Sequence, residues 1–325
     1  MRLSAIANLF CAAALCGMGG GTGAHAAYPD KTVTVIIATA PGGAADMVTR
    51  LVAQRFAARF GQAFVVENRP GAGNVIGTTA AAKAAPDGYT LLLGTSSSLT
   101  VNPAIYPKLP YDPLRDFVPV SLLAFTPIVV VANASVPVGN LKEMIEYVRA
   151  RPGQTTYATP GNGSTHHLAG EMLKSLAGIN MTAIPYKGSV PGLTDVVAGH
   201  VPFMLDNVNS AMVHVRTGKL KALAVTKTTR TNGAPDVPTA AEAGLPGLDI
   251  SGWVGLLAPA GTSQDIVKVL YAAAMDMLRE ADVRSRFLAG GLDGVGSTSE
   301  EFTAQMKAEI ERYRDLIRKA NIKFE

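Results

Sequence analysis

From Val33 onward, short runs of apolar and β-branched residues alternate with stretches of helical periodicity, and near Ile128 the alternation starts afresh. Few folds satisfy that pattern. Val33 to Ala38 is a continuous apolar run, as expected of a strand buried on both faces. After a Pro-Gly-Gly turn, Val48, Leu51, Val52 and Phe56 fall on one helical face. Ala63 to Glu67 and Tyr89 to Leu93 read as the next strands, with a helix over Asn74 to Ala84 between them. Such alternation predicts parallel sheets covered on both faces by helices.

The apolar stretch Val118 to Ala132 is interrupted by Pro119 and Pro127 and reads as buried strand, not as a membrane span. Beyond it the second block predicts strands at 129–131, 155–159, 182–185, 201–205 and 220–225. Helices at 141–149, 166–176, 191–198 and 212–216 separate them. About 100 residues suffice for a separate core. Ser251 to Leu257 is a further strand, and Gln264 to Arg279 and Glu300 to Lys319 are amphipathic helices that need a sheet to cover. The first block supplies it. The expectation is an α/β protein of two lobes, residues 27–126 with 227–325 and residues 127–226. Two connections form a hinge, and a hinge encloses a cleft.

The compartment is legible at the other end. Arg2, the apolar Leu3 to Met18 and the small-x-small run Ala24-His25-Ala26 have the form of an export signal cleaved after Ala26. The apolar core is shorter and more broken than the ~20 residues that span a bilayer. Both cysteines, Cys11 and Cys16, lie inside the signal, so the mature chain has none. Disulfides, thiolate metal sites and a cysteine nucleophile are thereby excluded. Loss of Arg2 leaves a mature charge of +3, 28 Lys+Arg against 25 Asp+Glu, with no basic run. Nucleic acid is not an expected partner.

Three glycine-containing loops each follow a strand and open a helix: Thr39 to Asp46, Thr159 to His167 and Pro185 to Ser189. At a helix N-terminus the first N–H groups lack intrahelical partners and the dipole is positive. Glycine lets a ligand approach that backbone, so each loop is a candidate anion seat. The same residues also make ordinary turns capped by Asp46 and by Ser164 or Thr165. Their occurrence in both lobes favours a carboxylate held between them, because ligands of open α/β sheets sit beyond the C-terminal strand ends. Asp206 ends a strand there, either as a ligand acceptor or as a cap for the segment that follows. Trp253, the sole tryptophan, is expected in the core.

Enzymatic readings fit less well. Gly71 to Gly77 has one residue too many for a dinucleotide fingerprint, and the next strand ends at Gly94-Thr95 without an acidic ribose partner. Ser164 or Thr165 with His166 or His167 and Asp206 would make a hydrolase, but no GxSxG elbow surrounds the serine. Adjacent histidines are a poor metal pair; one of them is expected to orient the loop. No cofactor or metal is expected.

The ordered motifs carry a resemblance. Pro41-Gly42-Gly43-x-x-Asp46, Val66-Glu67-Asn68-Arg69-Pro70-Gly71-Ala72-Gly73 and Pro86-Asp87-Gly88-Tyr89-Thr90 come first. Gly161-x-Gly163-Ser164-x-His166, Pro185-Tyr186-Lys187-Gly188, Pro235-Asp236-Val237-Pro238-Thr239 and Gly252-Trp253 follow. Together they resemble the substrate-binding receptors of tripartite tricarboxylate transporters, the Bug receptors, across the mature chain. The resemblance implies a monomeric periplasmic protein with the Venus-flytrap (type II) fold. It would close over a mono-, di- or tricarboxylate and present it to an inner-membrane permease or, in an alternative reading, to a sensor protein. It implies ligand contacts from Ala40, Pro41, Gly42, Gly43 and Asp46, and from Gly161, Gly163, Ser164, Thr165 and His166. Thr95 and Ser96 would form a third wall, and Tyr186, Lys187 and Asp206 the variable distal half.

One departure stands out. The family often has an aromatic residue before the first-loop proline, where this chain has Thr39-Ala40. A smaller residue is expected to suit a bulkier or aromatic acid. Ala40→Phe should therefore shift preference among organic acids in a binding screen; unchanged preference would refute this.

Overall fold

The structure, a computed structural model, describes residues 28–319 and residue 322. The expected export signal lies outside the described residues. In chain order the first block contains β1 (Val33–Ile37), α1 (Ala44–Phe60), β2 (Phe64–Asn68), α2 (Val75–Ala82) and β3 (Thr90–Thr95). A π-helical turn (Ser97–Val101), α3 (Asn102–Ile105) and β4 (Phe117–Thr126) complete it. The second contains β5 (Ile128–Asn133), α4 (Leu141–Arg149), β6 (Thr156–Thr159), α5 (Thr165–Ala177) and β7 (Thr182–Pro185). It continues with α6 (Ser189–Val197), β8 (Phe203–Asn207), α7 (Val208–Arg216) and β9 (Leu220–Val225). The chain ends with β10 (Gly252–Pro259), α8 (Gln264–Arg279), α9 (Ala281–Ala289), β11 (Asp293–Gly294) and α10 (Ser299–Lys319).

These elements form two sheets, ordered β11-β4-β10-β3-β1-β2 and β7-β6-β8-β5-β9. The apolar stretch around Pro127 is divided between them. β4 pairs within the first sheet and β5 within the second, so the chain passes from one lobe to the other at the proline. The sheets are mixed, not parallel as the alternation suggested. β1 pairs in parallel with β2 and β3, and β6 with β7 and β8. β10 is antiparallel to β3 and β4, and β5 to β8 and β9. The short β11 is antiparallel to β4 as well; β4, β5 and β10 adjoin the lobe crossings, where the chain enters a sheet.

Each sheet has its own apolar core. In the first, Val33, Val35 and Ile37 of β1 meet Val48, Val52 and Phe56 of α1, all fully or nearly fully buried. In the second, Ile128 and Val130 of β5 meet Leu141 and Met144 of α4 and Leu168 of α5. Residues 231–250 pack on the second lobe, although the pattern placed everything from 227 in the first. Ala240, Leu245, Leu248 and Ile250 enter the second core, and the Ile250 N–H donates to the Thr226 carbonyl at 2.8 Å. These side chains need burial, and the end of β9 offers it. The return to the first sheet therefore falls between Ile250 and Gly252. α10 also joins the lobes: Phe302 and Met306 sit under the first sheet, while Tyr313 lies in the second core.

Trp253 is core, edge-on to Phe302 with ring centroids 5.1 Å apart. Its indole N–H donates to Glu309 at 2.8 Å, and Thr100 of the π-helical turn donates to the same carboxylate at 3.0 Å. Burial raises the Glu309 carboxyl above its ordinary value, against hydrogen bonds from Trp253, Gln305 and Thr100 that lower it. A raised value means the folded state holds the proton more tightly. The stability it contributes is present at low pH and is lost as pH rises through that value. Glu309→Gln keeps an acceptor for Trp253 and Thr100 without a buried charge. The variant should melt at higher temperature than the parent near about pH 8, with the gap closing towards about pH 4. Thermal melts followed by Trp253 fluorescence check this, and a gap independent of pH would contradict it.

Candidate functional site

The three glycine loops converge where the lobes meet. In the first loop, Gly42 has φ +91°, a backbone conformation that favours glycine. Its N–H donates to the Asp46 carboxylate at 3.1 Å. That carboxylate also accepts from Arg50 Nε at 2.9 Å and from Asn68 Nδ2 at 3.0 Å, and Asn68 donates in turn to the Thr39 carbonyl. Asp46 thus clamps the loop from behind, and its oxygens are occupied. Gly43 begins α1 without a capping side chain, which leaves first-turn N–H groups of that helix unpaired within it.

The third loop faces the first across the lobe boundary. A Cβ at Gly188 would stand 3.8 Å from the Ala40 methyl, and one at Gly42 would stand 4.0 Å from Val190. The space next to Ala40 is thus lined by the opposite lobe. Gly188 begins α6, again with no capping side chain. Two uncapped helix N-termini, one from each lobe, therefore flank one seam. Tyr186 donates its hydroxyl to Asp195 at 2.7 Å, and its pKa is pushed up to about 12 by burial and that carboxylate. Lys187 is exposed.

The second loop is more fully satisfied. Gly188 N–H donates to the Pro160 carbonyl at 2.9 Å, which ties the second and third loops together. Ser164 caps α5, accepting the His167 N–H at 3.1 Å. His167 orients the loop, its Nδ1 accepting from the Gly163 N–H at 3.3 Å. A Cβ at Gly163, whose φ is +68°, would come within 2.9 Å of the Tyr106 hydroxyl of the first lobe. Gly161 lies close to the Tyr186 carbonyl. Across the seam, the Thr165 hydroxyl lies 2.8 Å from Ser96 Oγ and 3.0 Å from Ser97 Oγ, and the Thr165 N–H donates to Ser97 Oγ at 3.0 Å. Thr95 turns inward, its N–H donating to Ser98 Oγ at 3.3 Å.

Behind these loops sits a buried polar group. Asp206 is fully buried and accepts from Ser189 Oγ at 2.6 Å and from Ser210 Oγ at 2.7 Å. It ties the starts of α6 and α7 to the end of β8, each oxygen accepting one serine hydroxyl. Burial raises its carboxyl, against His166, Ser189, Ser210 and the Asn207 amide. His166 Nε2 lies 3.1 Å from Asn207 Oδ1. Burial lowers the His166 imidazole, against the Asp206 charge and the Asn207 bond.

Ser97 and Ser210 were missed by sequence reasoning, and Ser189, though inside the third loop, was given no role of its own. Ser189 had a signal, since it follows Gly188 at a helix start; the bond from Ser97 to Thr165 spans 68 positions and left none. The Ser164 hydroxyl is spent on capping α5 and on Thr159 at 3.1 Å, which is a structural role and not that of an activated nucleophile. Among the described residues, no group of His, Cys, Asp or Glu is placed to hold a metal ion, and no helix is long and apolar enough to cross a membrane.

Two mixed α/β sheets with separate cores, joined by strands that change lobes and meeting at paired helix N-termini, define the class: a two-lobed solute-binding protein of the periplasmic binding-protein fold. Residues 48–322 match the tripartite tricarboxylate transporter family receptor, and the chain belongs to that family. It is 36% identical to protein BugT of Bordetella pertussis over 99% of this chain and 98% of that one. Two solved structures from Rhodopseudomonas palustris are also similar. Rpa4515 with adipate has a TM-score of 0.88 at 34% identity, covering 91% of this chain and 99% of that one. MatC with bound malate has a TM-score of 0.84 at 36% identity, covering 89% and 100%. The family consists of solute-binding receptors, not enzymes.

The Asp46 clamp is testable. Its carboxyl is lowered: burial raises it, but hydrogen bonds from Arg50, Asn68 and Gly42 together outweigh burial. Its stabilisation is therefore present above the unfolded-state pKa and lost as pH falls through the depressed folded value. Asp46→Asn should cost about 1.5–3 kcal/mol at neutral pH, with the deficit shrinking below about pH 4. Denaturant melts across that range measure it.

Proposed function

We propose that this protein is a periplasmic receptor that captures a small organic carboxylate between its lobes for uptake by a tripartite tricarboxylate-type permease. The observation that carries the reading is the pair of uncapped helix N-termini, α1 at Gly43 and α6 at Gly188, facing each other across the seam. Unpaired N–H groups and two converging helix dipoles favour an anion. Each charge-assisted bond contributes about 1.5–3 kcal/mol net, whereas micromolar binding needs about 8 kcal/mol. A few amides with Ser96, Thr165 and neighbouring hydroxyls suffice without a buried arginine.

Binding works by population shift. A ligand bonded to both lobes favours the closed arrangement by its differential affinity, and the permease reads that arrangement. The hinge comprises the crossings at 126–128 and 250–252. Export through the N-terminal signal, with cleavage after Ala26, delivers the receptor to the periplasm. Adipate and malate, seen with two relatives, are the first ligands to try here.

A thermal-shift screen over mono-, di-, tri- and aromatic carboxylates tests the reading. A true ligand at 100 times its dissociation constant should add about 2.7 kcal/mol of stability. A flat response across the whole panel would sink it.

A further inference from the structure

The segment 72–74 is bent against its own preferences. Ala72 (φ +47°), Gly73 (φ +61°) and Asn74 (φ +74°) all lie in the left-handed region, which an alanine rarely enters. Strain of that kind persists only where the surroundings hold it, and it gathers at working parts of a molecule. The holding group is Asn102, whose Nδ2 donates to the Gly73 carbonyl at 2.7 Å. The same Nδ2 lies 3.4 Å from the Tyr111 hydroxyl, whose proton goes to the Ser98 carbonyl at 2.6 Å. Both neighbours of Nδ2 therefore accept, which fixes the amide with Oδ1 on its other side.

On that side Oδ1 meets the opposite lobe. A Cβ at Gly163 would stand 3.5 Å from Asn102 Oδ1 and 2.9 Å from the Tyr106 hydroxyl. A Cβ at Gly73 would stand 3.2 Å from the Asn162 carbonyl oxygen, 3.9 Å from the Tyr106 hydroxyl and 4.0 Å from Asn102 Oδ1. Two left-handed glycines, one per lobe, thus meet around Asn102 and Tyr106 with no room for a side chain. The fit is one of shape. Asn102 Oδ1 is buried without a hydrogen-bond partner, and the Gly163 N–H is spent on His167 of its own lobe. Beside it, Thr165 bonds Ser96 and Ser97 across the same seam.

We infer that Asn102, Tyr106 and Gly73 are positioning residues for solute capture, forming a seat that receives Gly163 and fixes how far the lobes approach. The seat is a stop and not a clasp, because covering a bare acceptor opposes closing. This assignment rests on the reading that the lobes close over a solute. It adds that part of the affinity is set by residues that do not touch the solute. When only a fraction of molecules reach the binding-competent arrangement, every apparent dissociation constant rises by the inverse of that fraction. Bulk in the seat therefore weakens all solutes by one common factor, whereas a residue that lines the solute changes their ranking.

The test compares variants of the mature protein. Asparagine tolerates the left-handed backbone, so Gly73→Asn adds bulk to the seat with little added strain. Gly61→Asn is the control, since Gly61 has φ +68° and no atom within 4 Å of its Cβ position. Calorimetric titration with adipate, malate, citrate and benzoate measures affinity. Gly73→Asn should weaken each acid that binds the parent at least about tenfold, by one shared factor. Gly61→Asn should stay within about twofold of the parent, as should Tyr106→Phe, which removes a hydroxyl that holds nothing across the seam. If Gly73→Asn does not fold, Gly73→Ala replaces it. Closing is also read without a solute. The chain from residue 27 has no cysteine, and a Cβ at Gly188 would stand 3.8 Å from the Ala40 methyl, a separation that suits a disulfide. Ala40→Cys with Gly188→Cys, oxidised by diamide, should cross-link at least about tenfold more slowly when Gly73→Asn is added, and at an unchanged rate with Gly61→Asn. A changed ranking of the acids, an equal loss in Gly61→Asn, a uniform loss in Tyr106→Phe, or unslowed cross-linking would overturn the seat. If no acid binds the parent, the carboxylate reading falls and the cross-linking rates alone decide the seat.

Discussion

A helix that begins on glycine has nothing of its own with which to close its first turn. Gly43 is the cap residue of α1 and Gly188 that of α6, and in neither helix does the cap supply a side-chain hydrogen bond. The N–H groups left over require either solvent or an anion. Much around them serves to hold those two starts in place. Asp46 grips the Gly42 amide and is itself held by Arg50 and Asn68, while Asp206 anchors Ser189 at the head of α6. The carboxylates of Asp46 and Asp206 thus fix the backbone at both starts.

The contrast with α5 is instructive. Its start has the most recognisable motif, Gly161-x-Gly163-Ser164, yet Ser164 caps it and Ser97 of the other lobe accepts the Thr165 N–H. Hydroxyl-to-hydroxyl contacts from Ser96 and Ser97 to Thr165 tie the lobes together in this arrangement. Such bonds are replaceable by water, which suits a seam that must open.

Local pattern revealed what local physics determines. Apolar runs marked β1 and β5, periodic spacing marked α1 and α10, and glycine after a strand marked all three loops. The stretch interrupted by Pro119 and Pro127 was read as buried strand; the lobe crossing falls at Pro127, while Pro119 sits inside β4. Strand direction was not legible, because β4, β5, β9 and β10 run antiparallel to neighbours supplied by distant parts of the chain. Nor was the allegiance of residues 231–250, whose leucines bury against a core built about 100 residues earlier. At the site, backbone positions could be read from glycine and caps. The occupied oxygens of Asp46 and Asp206 could not, since Asn68, Ser189 and Ser210 reach them only in the folded chain.

α10 has a mechanical meaning. With Phe302 and Met306 seated under one sheet and Tyr313 in the core of the other, this helix is a strut seated at both ends across the two strand crossings. A joint with only two strand crossings could splay widely. With the strut in place, wide gaping would pull Tyr313 from its socket and expose an aromatic ring to water. If the lobes move as jaws, their swing would be limited to what α10 can follow as a lever, held in the second core by Tyr313 together with Leu316 and Ile317.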